Sequence, residues 1–142
     1  MDGVFCGESF HWFDWPRALP ELARVLRPGG YLAMFWNRGR HGFSKQIQAL
    51  LPSSSPGERR YTAFAWRRAF RGVPFEPLRQ ETFVNVDEVS REALLARIGS
   101  WSNFTTLPPE ERTALLEQIG PLLTGPSYRM RLETHAWYTR RA

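Results

Sequence analysis

Residues 2–36 read DGVFCGESFHWFDWPRALPELARVLRPGGYLAMFW, and this stretch decides the fold. Val4-Phe5-Cys6 predicts a short buried strand close to the first residue. Asp14 suits an N-cap, Pro16 fits a first helical turn, and Leu19, Leu22, Val25 and Leu26 follow the helical period. Arg17, Glu21 and Arg24 then fall on the opposite, wet face. Arg27-Pro28-Gly29-Gly30 should stop the helix, because glycine accepts the left-handed C-terminal conformation and proline disfavours helix in the residue before it. Tyr31–Trp36 follows as a strand apolar on both faces. Strand, helix, Gly-Gly turn and strand make a βαβ unit, which requires a parallel sheet and a right-handed crossover. The class is α/β.

Beyond Asn37 a polar loop leads to a predicted helix carrying Phe43, Ile47, Leu50 and Leu51, which ends at Pro52-Ser53-Ser54-Ser55-Pro56-Gly57. A second helix spans Tyr61–Arg71, and Leu78–Val86 reads as a strand centred on Phe83 and Val84. Ser90 caps a helix through Leu94, Leu95 and Ile98 that stops at Gly99. Pro108 and Glu110-Glu111 open another, with Leu115, Leu116 and Ile119, that breaks at Gly120-Pro121. Met130–Thr139 closes the chain as a partly alternating strand. No internal repeat is visible.

The 142 residues suit a single domain that buries roughly two thirds of its unfolded surface. Six Trp and ten Phe argue against disorder. No apolar run reaches the ~20 residues of a membrane span, and Asp2 and Glu8 stand where a signal peptide would be basic and apolar. The expected compartment is therefore the cytoplasm. Cys6, the only cysteine, excludes an intrachain disulfide and a Cys-based metal cluster. Of the 19 basic side chains behind the +5 charge only Lys45 is a lysine, and the arginines are scattered rather than gathered on one face. That argues against nucleic acid as a partner.

Phe10-His11-Trp12-Phe13-Asp14, Ala18-Leu19, Glu21, Arg24-Val25-Leu26-Arg27-Pro28-Gly29-Gly30 and Phe35-Trp36-Asn37-Arg38 closely resemble, in order and spacing, the centre of class I S-adenosylmethionine-dependent methyltransferases of domain type 11. Leu94-Leu95-Ala96-Arg97, Ser100-Trp101-Ser102, Leu107-Pro108, Glu111-Arg112 and Leu115-Leu116 resemble the C-terminal helical region of bacterial members. The resemblance implies a Rossmann-like sheet of order 3-2-1-4-5-7-6, of which this chain would hold strands 4-5-7-6, the strand numbered 7 antiparallel, with packed helices and a helical lid insertion. Residues 1–38 would be the strand–helix–strand core, 39–75 a helical connection, and 76–142 the last two strands with the insertion at about 88–124. The whole would be the C-terminal half of the domain. The Gly-rich turn after strand 1 and the ribose-binding acid after strand 2 have no counterpart, and no G-x-G occurs in the sequence.

Methyl transfer is an in-line displacement at a sulfonium, so an enzyme contributes alignment, and a base where the nucleophile carries a proton. Open α/β sheets bind ligands beyond the C-terminal ends of their strands, here the loops expected at Cys6 and Trp36. The resemblance implies that Cys6, Gly7, Phe10, His11 and Trp12 line S-adenosylmethionine, and that Asn37 and Arg38 face the substrate. Aromatics near a strand end also cover core edges, Asn-Arg-Gly is also turn chemistry, and His11 is open as catalytic base, ligand contact or structural histidine. Trp101 and Phe104 fit an apolar substrate lid and equally a helical core. His41 and His135 stand alone, and no spacing of the three histidines suits a metal.

Two readings follow. One is the substrate-side half of a transferase acting on a small-molecule methyl acceptor. The other is a non-catalytic interaction module that binds an anionic partner through its arginine excess or self-associates through its N-terminal strand, an exposed edge if the sheet begins there.

Overall fold

The computed structural model describes residues 1–40, 43–53 and 65–142, and contains the expected strand–helix–strand unit. Strands β1 (Gly3–Gly7) and β2 (Tyr31–Arg40) pair in parallel, with Gly3 beside Tyr31 and Gly7 beside Phe35. Between them lie a 3-10 turn at Phe10–Trp12 and helix α1 (Trp15–Val25). The sheet has four strands in the order β1-β2-β4-β3, where β3 is Arg79–Ser90 and β4 is Ser127–Arg140. Arg140 meets Tyr31 while Thr134 meets Asn37, so β4 runs antiparallel to β2. This is the order 4-5-7-6 that the resemblance implies.

Two compact units divide the chain. The first comprises 1–38, 57–85 and 133–142. Its core joins Leu19 and Leu26 from the α1 region to Cys6, Leu32, Met34 and Trp36 of the sheet, closed by Phe10, Trp66 and Trp137. Leu19, Leu32 and Met34 are wholly buried, each contributing about 1.5–3 kcal/mol of apolar transfer. That exceeds what the exposed Arg24–Glu21 ion pair on the outer face of α1 can supply. The four-residue helix α3 (Ala65–Arg68) delivers Trp66 to this core.

The second unit comprises 39–56 and 86–132. Helices α2 (Lys45–Leu50), α4 (Arg91–Gly99), α5 (Ser102–Thr105) and α6 (Pro109–Ile119) surround Ile47, Leu94, Ile98, Phe104 and Ile119. The Ser90 hydroxyl caps α4 as expected, accepting from the Ala93 N–H at 3.1 Å. Gly120-Pro121 breaks α6 into a 3-10 turn.

Several local expectations need correction. Asp14 occupies the N-cap position of α1, but its side chain makes no capping bond; the backbone carbonyl instead accepts from Arg17 and Ala18. No left-handed glycine ends α1, since the helix stops at Val25 and Leu26 is extended. The left-handed residue is Gly29, φ +76°, in the turn that feeds β2. Val4-Phe5-Cys6 is not a buried strand, because Phe5 is 73% exposed on the sheet face opposite α1. The strand carrying Asn37 and Arg38 does not end at Trp36; it runs to Arg40 because β4 continues to pair with it past the end of β1. The predicted helix at Tyr61–Arg71 is helical over Ala65–Arg68, and its first four residues lie outside the described ones.

Candidate functional site at the strand ends

Where β1 stops, the chain turns sharply at Glu8, whose φ is +49°. A non-glycine residue held there is uncommon, and such strain collects at functional positions. The Glu8 N–H donates to the Phe35 carbonyl at 2.9 Å, and its carboxylate accepts from the Asn37 N–H at 2.5 Å. Asn37 in turn accepts at Oδ1 from the Thr134 hydroxyl, 2.6 Å away. One polar chain thus ties together the ends of β1 and β2 and the facing part of β4. Crowding by protein atoms pushes the Glu8 carboxyl above the usual carboxylate range, offset in part by the Asn37 N–H and by the nearby Arg38 guanidinium.

His11 is buried, and its Nδ1 accepts a hydrogen bond from the Trp36 indole Nε1–H at 2.8 Å. An indole N–H only donates, so the lone pair of the imidazole is engaged at Nδ1 and the ring proton sits on Nε2. With the lone pair used, Nε2 is a donor. The His11 ring lies 5.2 Å from that of Trp12.

The other expected residues divide by burial. Cys6 points into the core, and burial raises its thiol pKa, so it is unreactive. Phe10 is wholly buried, edge-on to Trp66, and covers the core as an aromatic near a strand end often does. Gly7 borders open space, and Trp12 is 44% exposed at the rim. Asn37 and Arg38 lie on β2 beyond the reach of β1. Trp101 belongs to the second unit, where its ring packs on Phe43 at 6.2 Å and Phe104 is fully buried. His135 lies 3.8 Å from Glu133. His41 lies outside the described residues, among which no cluster of three potential metal ligands occurs. Nor is any described helix long and apolar enough to cross a membrane.

A sequence profile described as a methyltransferase domain matches residues 1–34, the N-terminal end of this chain. An uncharacterised methyltransferase of Schizosaccharomyces pombe is 31% identical over 125 residues, which is 87% of this chain and 49% of the relative. An uncharacterised methyltransferase of Mycobacterium tuberculosis is 30% identical over the same shares. The chain belongs to the class I methyltransferases. It spans about half the length of the curated relatives it matches. A solved structure from Anaeromyxobacter dehalogenans, described as a type II methyltransferase, has the same fold: TM-score 0.60 at 21% identity, over 99% of this chain and 64% of that one.

The family implies S-adenosylmethionine, and the residues present do not by themselves make a site for it. Glu8, His11 and Trp12 follow β1 in the chain, Glu8 bonded to Asn37 and His11 to Trp36. The backbone donors of a Gly-rich turn, which would face the methionine moiety, have no counterpart in the sequence.

Glu8 and Thr134 were not legible as site residues. A Gly-Glu-Ser run after a strand suggests a loop, but the positive φ of Glu8 and the reach from residue 134 to residue 37 arise only from the tertiary fold.

Glu8 also sets a pH dependence. Its folded pKa lies above the unfolded one, so the stability it confers is complete below the ordinary carboxylate pKa and is lost as pH rises through the raised value. Glu8→Gln keeps an acceptor for the Asn37 N–H and lacks that loss. Urea melts at acidic and neutral pH should show the Gln variant gaining on the wild type as pH rises; parallel profiles would contradict it.

Proposed function

We propose that this chain provides the acceptor-side half of an S-adenosylmethionine-dependent methyltransferase acting on a small molecule. The observation that carries the reading is the sheet order β1-β2-β4-β3 with a parallel first pair, which brings Glu8, His11 and Asn37 to one end of the strands. In this reading Gly7, His11 and Trp12 line the cofactor side, with Cys6 and Phe10 supporting them from the core. Asn37 and Arg38 face the acceptor, and the Arg38 fork suits an anionic group. The β1 edge is where further strands would join, or where a second copy would pair in their absence.

The experiment joins the portion of the Mycobacterium tuberculosis relative that lies outside the matched stretch ahead of Met1 and titrates S-adenosylhomocysteine. His11→Ala and Trp12→Ala should each weaken binding by roughly tenfold, as expected for the loss of one buried hydrogen bond or one aromatic wall. Binding indifferent to both would place the cofactor elsewhere.

A further inference from the structure

Strand β3 differs from the others in its exposure. It runs for 12 residues, about twice the usual strand length, and residues 79–86 are all exposed. The sheet order makes it an edge: one side pairs with β4, and no described strand pairs with the other. Natural sheets blunt such edges with charges, proline, a bulge or a covering segment. Thr82-Phe83-Val84-Asn85-Val86 holds no charge, proline or glycine. Side chains alternate between the faces of a strand, so Phe83 stands on one face and Val84 and Val86 on the other, 54%, 54% and 46% exposed. Apolar groups on both faces of an open edge fit a further strand laid alongside. In the order 3-2-1-4-5-7-6 the remaining strands of the fold join at β1, so β3 stays outermost with or without them.

We propose that the occupant is β3 of a second copy, laid antiparallel about a two-fold axis that stands perpendicular to the sheet and passes between the two Phe83 residues. This register sets Thr82 opposite Val84, Gln80 opposite Val86 and, twice by symmetry, Arg79 opposite Asp87. Charge selects it. An axis at Val84 would set Glu81 opposite Asp87, and one at Glu81 would set that residue opposite itself; like charges directly opposite destabilise a strand pair. Of the axes that leave most of β3 paired, only the one at Phe83 opposes unlike charges. Asp87 accepts from Arg97 through Oδ2 at 2.9 Å, which leaves Oδ1 for Arg79 of the second copy.

The stretch from Arg79 to Asp87 in each copy would exchange about eight to ten backbone hydrogen bonds across the axis, the number that an ordinary specific interface makes. In strand addition those bonds carry the affinity, so the contact does not depend on a large apolar area. The same patch on both copies meets itself, as an isologous contact requires. The inference rests on the sheet order and not on the transferase reading, which uses the strand ends.

Sedimentation across the micromolar range tests it on the Phe5→Lys chain, in which the opposite, β1 edge carries a charge. That chain should be a closed dimer. Adding Phe83→Lys, at an exposed position where folding is not at stake, sets two like charges at the axis and should raise the dissociation constant roughly tenfold or more, with circular dichroism showing the variant folded. Under mild oxidation Phe83→Cys should crosslink two copies, because it opposes itself. Val86→Cys, about 20 Å from its counterpart in this register, should not. A monomeric Phe5→Lys chain, a dimer indifferent to Phe83→Lys, or a crosslink at position 86 and not at 83 would overturn the proposal.

Discussion

Gly30→Val should lower the unfolding free energy by about 2–3 kcal/mol, the cost of overpacking a site that cannot yield. A Cβ at Gly30 would lie 2.9 Å from the Arg27 carbonyl oxygen and 3.2 Å from that of Asp2. Both are backbone atoms fixed by other bonds. The Asp2 carbonyl accepts from the Tyr31 N–H, Arg27 donates to Met1, and the Gly30 carbonyl accepts from Arg141 at 2.8 Å. The turn is thus locked between the start of β1 and the end of β4. The cause is close approach and not a left-handed backbone, which belongs to Gly29. Gly29→Ala, with open space around its Cβ, should cost about 1–2 kcal/mol for φ strain alone. Urea melts of both variants check the pair; a harmless Val at position 30 would contradict the turn.

Trp36→Phe should cost about 1–3 kcal/mol, because it leaves the buried Nδ1 of His11 without its donor. Removing both polar partners, Trp36→Phe with His11→Phe, should cost less than the sum of the two single changes. Long-range ¹⁵N spectra of the imidazole should show the Nε2–H form in the wild type and a mixture once Trp36 is replaced. Additive costs and an unchanged tautomer would mean that the indole does not set the state of His11.

The sequence made the architecture legible where local rules and tertiary context agree. Leu19, Leu22 and Leu26 keep the helical period because one face of α1 meets Leu32, Met34 and Trp36. Ser90 caps α4 because its hydroxyl reaches the Ala93 N–H within one turn. Agreement failed where distant segments decide. Asn37 and Arg38 look like turn residues, yet β4, a hundred residues later, holds them in a strand. Phe5 looks like a core residue because its neighbours are apolar, but its side of the sheet has no helix over it among the described residues. After β1 the run Phe10-His11-Trp12 takes environments that the sequence does not separate. Phe10 turns inward, Trp12 outward, and the hydrogen bond from Trp36 places the His11 ring proton on Nε2. Glu8 gave no signal in the sequence, because its importance lies in a backbone angle and in a bond to residue 37.

The most direct test of the central claim, that this chain supplies one side of a methyltransferase site, is calorimetric titration of S-adenosylmethionine into two proteins. These are the chain by itself, and the chain joined to the unmatched portion of the Mycobacterium tuberculosis relative. The account predicts no measurable heat of binding for the chain by itself and saturable binding, about micromolar, for the joined protein, a gain of about 4 kcal/mol or more over a Kd above about 1 mM. Micromolar binding by the chain by itself, or none by a folded joined protein, would contradict it.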